Sequence, residues 1–189
     1  MAGEKKRRGR RDHLNDFSRN VSGEYIYTGQ CYVCTGGAQA RTALLRRLWR
    51  MTAGMAAAVV AGGCISAPGV GRCFYVMLPY AAQIGVTGSI VWAMTRWQAR
   101  EYPMRAYIYQ ATVRALPGRC LAEAILAAVG LGAETLYLIL SGSDGHGVSA
   151  AIYLALQAGV LALALLARRS VRQSRWQPAE GSGGLTAGS

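Results

Sequence analysis

Residues 147–167, GVSAAIYLALQAGVLALALLA, run without a charge and stop at Arg168-Arg169. A helix needs roughly 20 apolar residues to cross a hydrocarbon core of about 30 Å, so this stretch reads as a transmembrane helix. Three more windows flank it on the amino-terminal side. Met51–Gly71 and Cys73–Thr95 are uncharged, and Leu121–Leu140 is interrupted only by Glu123 and Glu134. The expected fold is therefore all-α: an integral membrane four-helix bundle with helices at about 48–66, 73–96, 120–141 and 148–167. The connections near residues 66–72 and 141–145 are short, which makes two antiparallel transmembrane hairpins joined by a longer middle segment.

Charge fixes an orientation. All but Arg72 of the 21 Lys and Arg residues lie before the first window, between the second and third, or after the fourth. The positive-inside rule puts those segments, and both termini, in the cytoplasm of a multi-pass cell-membrane protein. The net charge of +12 is thereby explained without nucleic acid. The run Lys5-Lys6-Arg7-Arg8-Gly9-Arg10-Arg11 suits anionic lipid headgroups at the bilayer surface. No short apolar signal segment precedes the first window, so that window is expected to act as an uncleaved anchor.

Outside the windows the chain divides by composition. Residues 1–22 read as a disordered basic arm, and residues 168–189, ending GSGGLTAGS, as a flexible cytoplasmic tail. Between arm and membrane, residues 23–36 hold two short runs rich in Tyr, Val and Ile around Thr28-Gly29. That pattern predicts a small cytoplasmic β-hairpin before the bundle. Residues 38–50 turn helical and lead into the first window. In the middle segment, Pro103 suits a first helical position and Pro117-Gly118 a stop, giving a short interfacial helix over about 103–116. Rows of small residues, Gly54, Ala58, Gly62 and Ser66 on the first helix and Ala151, Ala155 and Gly159 on the fourth, predict close helix packing.

Chemistry concentrates in the windows. Glu134 lies about 10 Å from the outer end of the third helix, at a depth similar to Tyr80, Gln83 and Gln157, so these four are expected to form one polar intramembrane layer. Glu123 is 11 residues earlier on the same face, and a vertical carboxyl pair is what a proton relay requires. The competing structural reading has Glu134 bonded to Gln83 or Gln157 as interhelical glue, with Glu123 reaching for the cytoplasmic interface. A membrane-embedded glutamate among four helices is similar to small multidrug-resistance transporters in architecture, although those are shorter and carry the glutamate in their first helix.

The remaining motifs point away from catalysis. Cys31-Tyr32-Val33-Cys34 is a single CxxC, a possible redox pair, but one pair is half a zinc site and on a strand its two thiols face opposite ways. Cys64 and Cys73 flank the first outer turn. Membrane oxidoreductases that make disulfides need paired cysteines on the outer side, whereas this CxxC is on the inner one. Ser143, Asp144 and His146 lie in a glycine-rich turn that cannot hold triad geometry. The expectation is a non-enzymatic accessory or regulatory membrane component with no metal or cofactor and with a protein partner or a second copy. The alternative is a small proton-coupled transporter using Glu134.

Overall fold

A computed structural model of the chain describes residues 17–19, 25–27, 30–65, 67–100, 102–142 and 145–179. The basic arm up to residue 16, residues 20–24, Thr28-Gly29, Ser66, Glu101, Ser143, Asp144 and the end from 180 onward lie outside the described residues.

Four long helices dominate: α1 (Gly37–Cys64), α3 (Phe74–Gln98), α5 (Leu116–Ser141) and α6 (Gly147–Gln173), with two short ones, α2 (Pro68–Arg72) and α4 (Ala106–Ala111). The long helices close a ring in which α1 packs on α3 and α6, and α5 packs on α3 and α6. Helices α1 and α5, and likewise α3 and α6, therefore face each other across the bundle axis. The described helix ends rich in arginine gather at one end, the basic end. The α1–α3 and α5–α6 connections meet at the opposite one, where Arg72 and His146 line a common cleft.

The helix bounds follow from local chemistry. Gly36 and Gly37, with φ of 113° and 76°, turn the chain out of a strand and into α1, a conformation that a Cβ disfavours. At the basic end of α3, the Arg41 guanidinium donates to the carbonyls of Trp97 (3.2 Å) and Arg100 (2.7 Å), which serves the orphan acceptors of a helix terminus. Pro117 is in the first turn of α5, where its missing N–H costs nothing. The Pro117-Gly118 pair thus begins a helix rather than stopping one. The interfacial helix expected over 103–116 is correspondingly reduced to α4, and Pro103 precedes a strand.

Three helices are long and apolar enough to cross a membrane: α3, the α4–α5 segment Ala106–Ser141, and α6. No more than a third of each apolar window is buried, and Trp92, Ile139, Leu140 and Val148 stand exposed on the outer surface. A water-soluble fold of this size would cover such side chains. The first window differs from expectation. Met51–Gly71 is not one helix, because α1 ends at Cys64, Ile65 and Ala67 are extended, and Pro68 starts α2. Its helical apolar part, Met51–Cys64, rises only about 21 Å.

The small β-structure also departs from the expected hairpin. Strand β1 (Phe17–Arg19) pairs antiparallel with β2 (Tyr25–Tyr27), while β3 (Cys31–Cys34) pairs with β4 (Met104–Arg105) on one edge and β5 (Trp176–Pro178) on the other. Residues 25–27 and 31–34 are thus in different sheets. A lone hairpin is marginal in water, and β3 gains both a second edge and a buried face by recruiting strands 70 and more residues away. The tail is corrected likewise. Residues 168–173 complete α6 and 176–178 are β5, so order runs through Ala179, whose N–H donates to Cys31 O.

The sheet is fused to the basic end of the bundle. Tyr32 stacks on Tyr109 at 4.4 Å, Tyr109 meets Trp176 at 5.5 Å, and Trp176 meets the buried Trp97 at 6.0 Å. This aromatic chain joins the core formed by Leu48, Met94, Met104, Ile108 and Leu116. Of the small-residue rows, Gly54 packs as expected, with an added Cβ 3.1 Å from Leu163 Cδ1 on α6. The α6 row does not: Ala151 and Ala155 are exposed, and the buried stripe is Ala150, Tyr153, Gln157, Val160, Ala164 and Ala167.

Candidate functional site

Helix α5 directs one stripe inward, Cys120, Glu123, Ala124, Ala127, Gly130, Glu134 and Tyr137, at the three- and four-residue spacing of a single face. Both carboxyls on that stripe are completely buried. They bracket a polar middle level, so the bundle interior carries three polar levels over roughly 16 Å of helix rise.

At the middle level, Gln83 of α3 and Gln157 of α6 form a reciprocal amide pair, each Nε2 donating to the other's Oε1 at 3.0 Å. These are the helices opposed across the bundle axis, so the pair sits on that axis. The second N–H of Gln157 donates to Tyr153 Oη at 3.0 Å. Gly130 of α5 faces this pair, an added Cβ there coming within 3.7–3.8 Å of Gln157 and Tyr153 Oη. Tyr80 is adjacent, 6.3 Å from Tyr153 between ring centroids, and donates to Val59 O of α1 at 2.7 Å.

Toward the basic end, Thr87 Oγ1 donates to Glu123 Oε1 at 2.8 Å. Toward the other end, Glu134 Oε1 accepts the backbone N–H of Gly69 at 3.3 Å. Helix α2 packs on α3 and α5 with Pro68 and Gly69 buried, so the chain between α1 and α3 folds in over Glu134. In each glutamate the other oxygen, Oε2, is buried with no hydrogen-bond partner among the described residues.

The expected layer of Tyr80, Gln83, Glu134 and Gln157 is thus split. Gln83, Gln157 and Tyr80 come together, but Glu134 bonds Gly69 rather than either glutamine. Glu123 does not reach for an interface; it is fully buried against α3. Tyr153 and Thr87 were missed, although each stands four residues from a glutamine and therefore on its face. Gly69 could not be found from sequence, because a backbone amide 65 residues away carries no residue-type signal.

No protein-family model, curated protein or solved structure matches this chain. The site therefore has to be read from its own chemistry.

The CxxC is separate from this column. Cys31 and Cys34 are both buried in β3, three residues apart and so on opposite faces of the sheet, and neither is in a disulfide. Burial pushes the Cys34 thiol above its ordinary range, which opposes the thiolate that metal binding and redox exchange require. Among the described residues no three His, Cys, Asp or Glu side chains cluster as metal ligands, and His13 lies outside them. Purified protein is expected to contain zinc far below one per chain. One zinc per chain, lost on Cys34→Ser, would sink that expectation.

Proposed function

We propose that this chain is a four-pass membrane protein, basic end in the cytoplasm, that works as a non-enzymatic accessory or regulatory component and presents its capped basic end to a protein partner. The observation that supports this is the cap itself. Strands β3, β4 and β5, from three distant parts of the chain, converge with α4 on the ends of the helices. Exposed residues such as Gln177 and Pro178 then stand on an ordered edge rather than on a loose tail. In this reading α1 is the fourth crossing. Its shorter apolar stretch is accommodated by close packing on α6 and by Arg50 extending toward headgroups.

A photo-reactive residue at Gln177 in cells tests the role. A discrete heterologous adduct that weakens when Trp176→Ala loosens β5 from Trp97 and Tyr109 is expected; adducts only to lipid would remove the partner from the reading. Orientation is tested separately. Reporter fusions after Arg72 and after Gly145 are expected outside, and fusions after Arg100 and after Ala179 inside, because the arginine-rich helix ends share one side. An exported reporter at Arg100 overturns the topology.

The Oε2 atoms of Glu123 and Glu134, without a hydrogen-bond partner among the described residues, favour a second reading, a small proton-coupled transporter. Ionisable groups inside a membrane bundle mark proton or substrate paths, and here Tyr153, Gln157 and Gln83 stand between the two carboxyls. Glu134→Gln separates the two readings, because an amide keeps the shape of the carboxyl but cannot release a proton.

A further inference from the structure

We infer that the cleft between Arg47 of α1 and Arg175, just beyond α6, is a binding site for the phosphate of an anionic phospholipid. The cleft measures about 380 Å³ and is walled by Thr35 and Leu44 on one side and by Ser170 and Gln173 on the other. That size is in the range of small-molecule sites. Both arginines are exposed. The two carboxylates among the described residues, Glu123 and Glu134, are sealed in the bundle interior and cannot neutralise them. Among the described residues the cleft's two guanidiniums therefore have no carboxylate beside them, and their forked donors match phosphate oxygens.

Its position selects a lipid over a soluble phosphate. Helix α6 is apolar and exposed at Leu165 and Leu166, then turns basic at Arg168 and Arg169, so the cleft opens at the level where an apolar surface gives way to charge. A second depression of about 280 Å³, formed by Leu165, Arg168, Arg169 and Arg172, shares Gln173 with the first. A phosphate between Arg47 and Arg175 would leave acyl chains free to descend along the apolar helices, with the second basic depression beside the headgroup. This site is distinct from the amino-terminal basic arm. It rests on the membrane reading of the chain but not on its accessory role, and the reporter fusions test that membrane reading independently of lipid.

The test uses full-length protein in phosphatidylcholine nanodiscs containing a minority of phosphatidylglycerol, with retained lipid counted by native mass spectrometry. Arg47→Gln with Arg175→Gln is expected to lower retained phosphatidylglycerol roughly tenfold, since it removes both forked donors that would bond the phosphate directly. Arg46→Gln with Arg96→Gln removes equal charge from the basic end outside the cleft and keeps the two phosphate-contacting guanidiniums, so retention is expected to stay within about twofold. Equal losses in both pairs overturn the site in favour of diffuse electrostatics. Millimolar inorganic phosphate that displaces the lipid, or that protects the arginines in lipid-free detergent, assigns the cleft to a soluble phosphate and overturns the lipid reading. Should the double variant fail to fold, a photo-reactive phosphatidylglycerol on the unaltered protein decides. Labelling within residues 35–47 and 170–175 is expected, and labelling elsewhere alone refutes the proposal.

Discussion

Gln157→Leu is expected to destabilise the bundle by about 2 kcal/mol, and adding Gln83→Leu is expected to recover part of that loss. The single substitution leaves the Gln83 amide and the Tyr153 hydroxyl without the Gln157 partner they share on the bundle axis. The double substitution removes both amides and fills their space with similar apolar volume. Burying a polar pair is nearly neutral against an apolar pair, whereas stranding one member is costly. Unfolding in mixed detergent micelles measures both variants. Losses that simply add would mean the two amides do not depend on each other, and the axial pairing would be wrong.

Glu134→Leu is expected to cost a further amount of about the same size, and to act locally. It deletes the acceptor of the Gly69 N–H, so α2 loses the bond that holds it over the bundle. Cys73, half-buried at the end of α2, reports its release, with the exposed Cys64 as the reference thiol: alkylation of Cys73 is expected to accelerate in Glu134→Leu. Glu134→Gln keeps a carbonyl oxygen for Gly69 and nearly the same shape. Stability should then shift by under about 1 kcal/mol, with alkylation unchanged. Cellular function decides what the carboxyl is for. A Glu134→Gln protein that folds normally and retains its phenotype supports the structural role. One that folds normally but loses its phenotype supports proton coupling, because an amide cannot release a proton.

Much of the architecture was legible because a bilayer imposes a length and a composition on whatever crosses it. Three apolar runs specified α3, α5 and α6, and the segregation of arginine specified which helix ends lie together. The same logic failed for Met51–Gly71. Hydropathy averages over a window and cannot register that Pro68 starts a new helix, or that Gly69 turns its amide onto Glu134. The strands were found by composition but given the wrong partners, since Tyr, Val and Ile predict an extended chain without naming its neighbour. Cys31–Cys34 took its edges from residues 104–105 and 176–178, segments whose own sequences read as helix start and tail.

The site divides along the same line. Residue type and helical spacing were enough to single out Tyr80, Gln83, Glu123, Glu134 and Gln157, because a polar side chain in an apolar helix is costly and so conspicuous in sequence. Depth alone placed four of them in one layer. Only the tertiary structure decided the pairing: opposition of α3 and α6 across the axis joins Gln83 to Gln157, the α3–α5 contact joins Thr87 to Glu123, and the infolded α2 takes Glu134. Sequence by itself determined which groups need partners inside the bundle. Which partners they receive depends on helix rotation and on backbone donors, and neither leaves a mark in the order of the side chains.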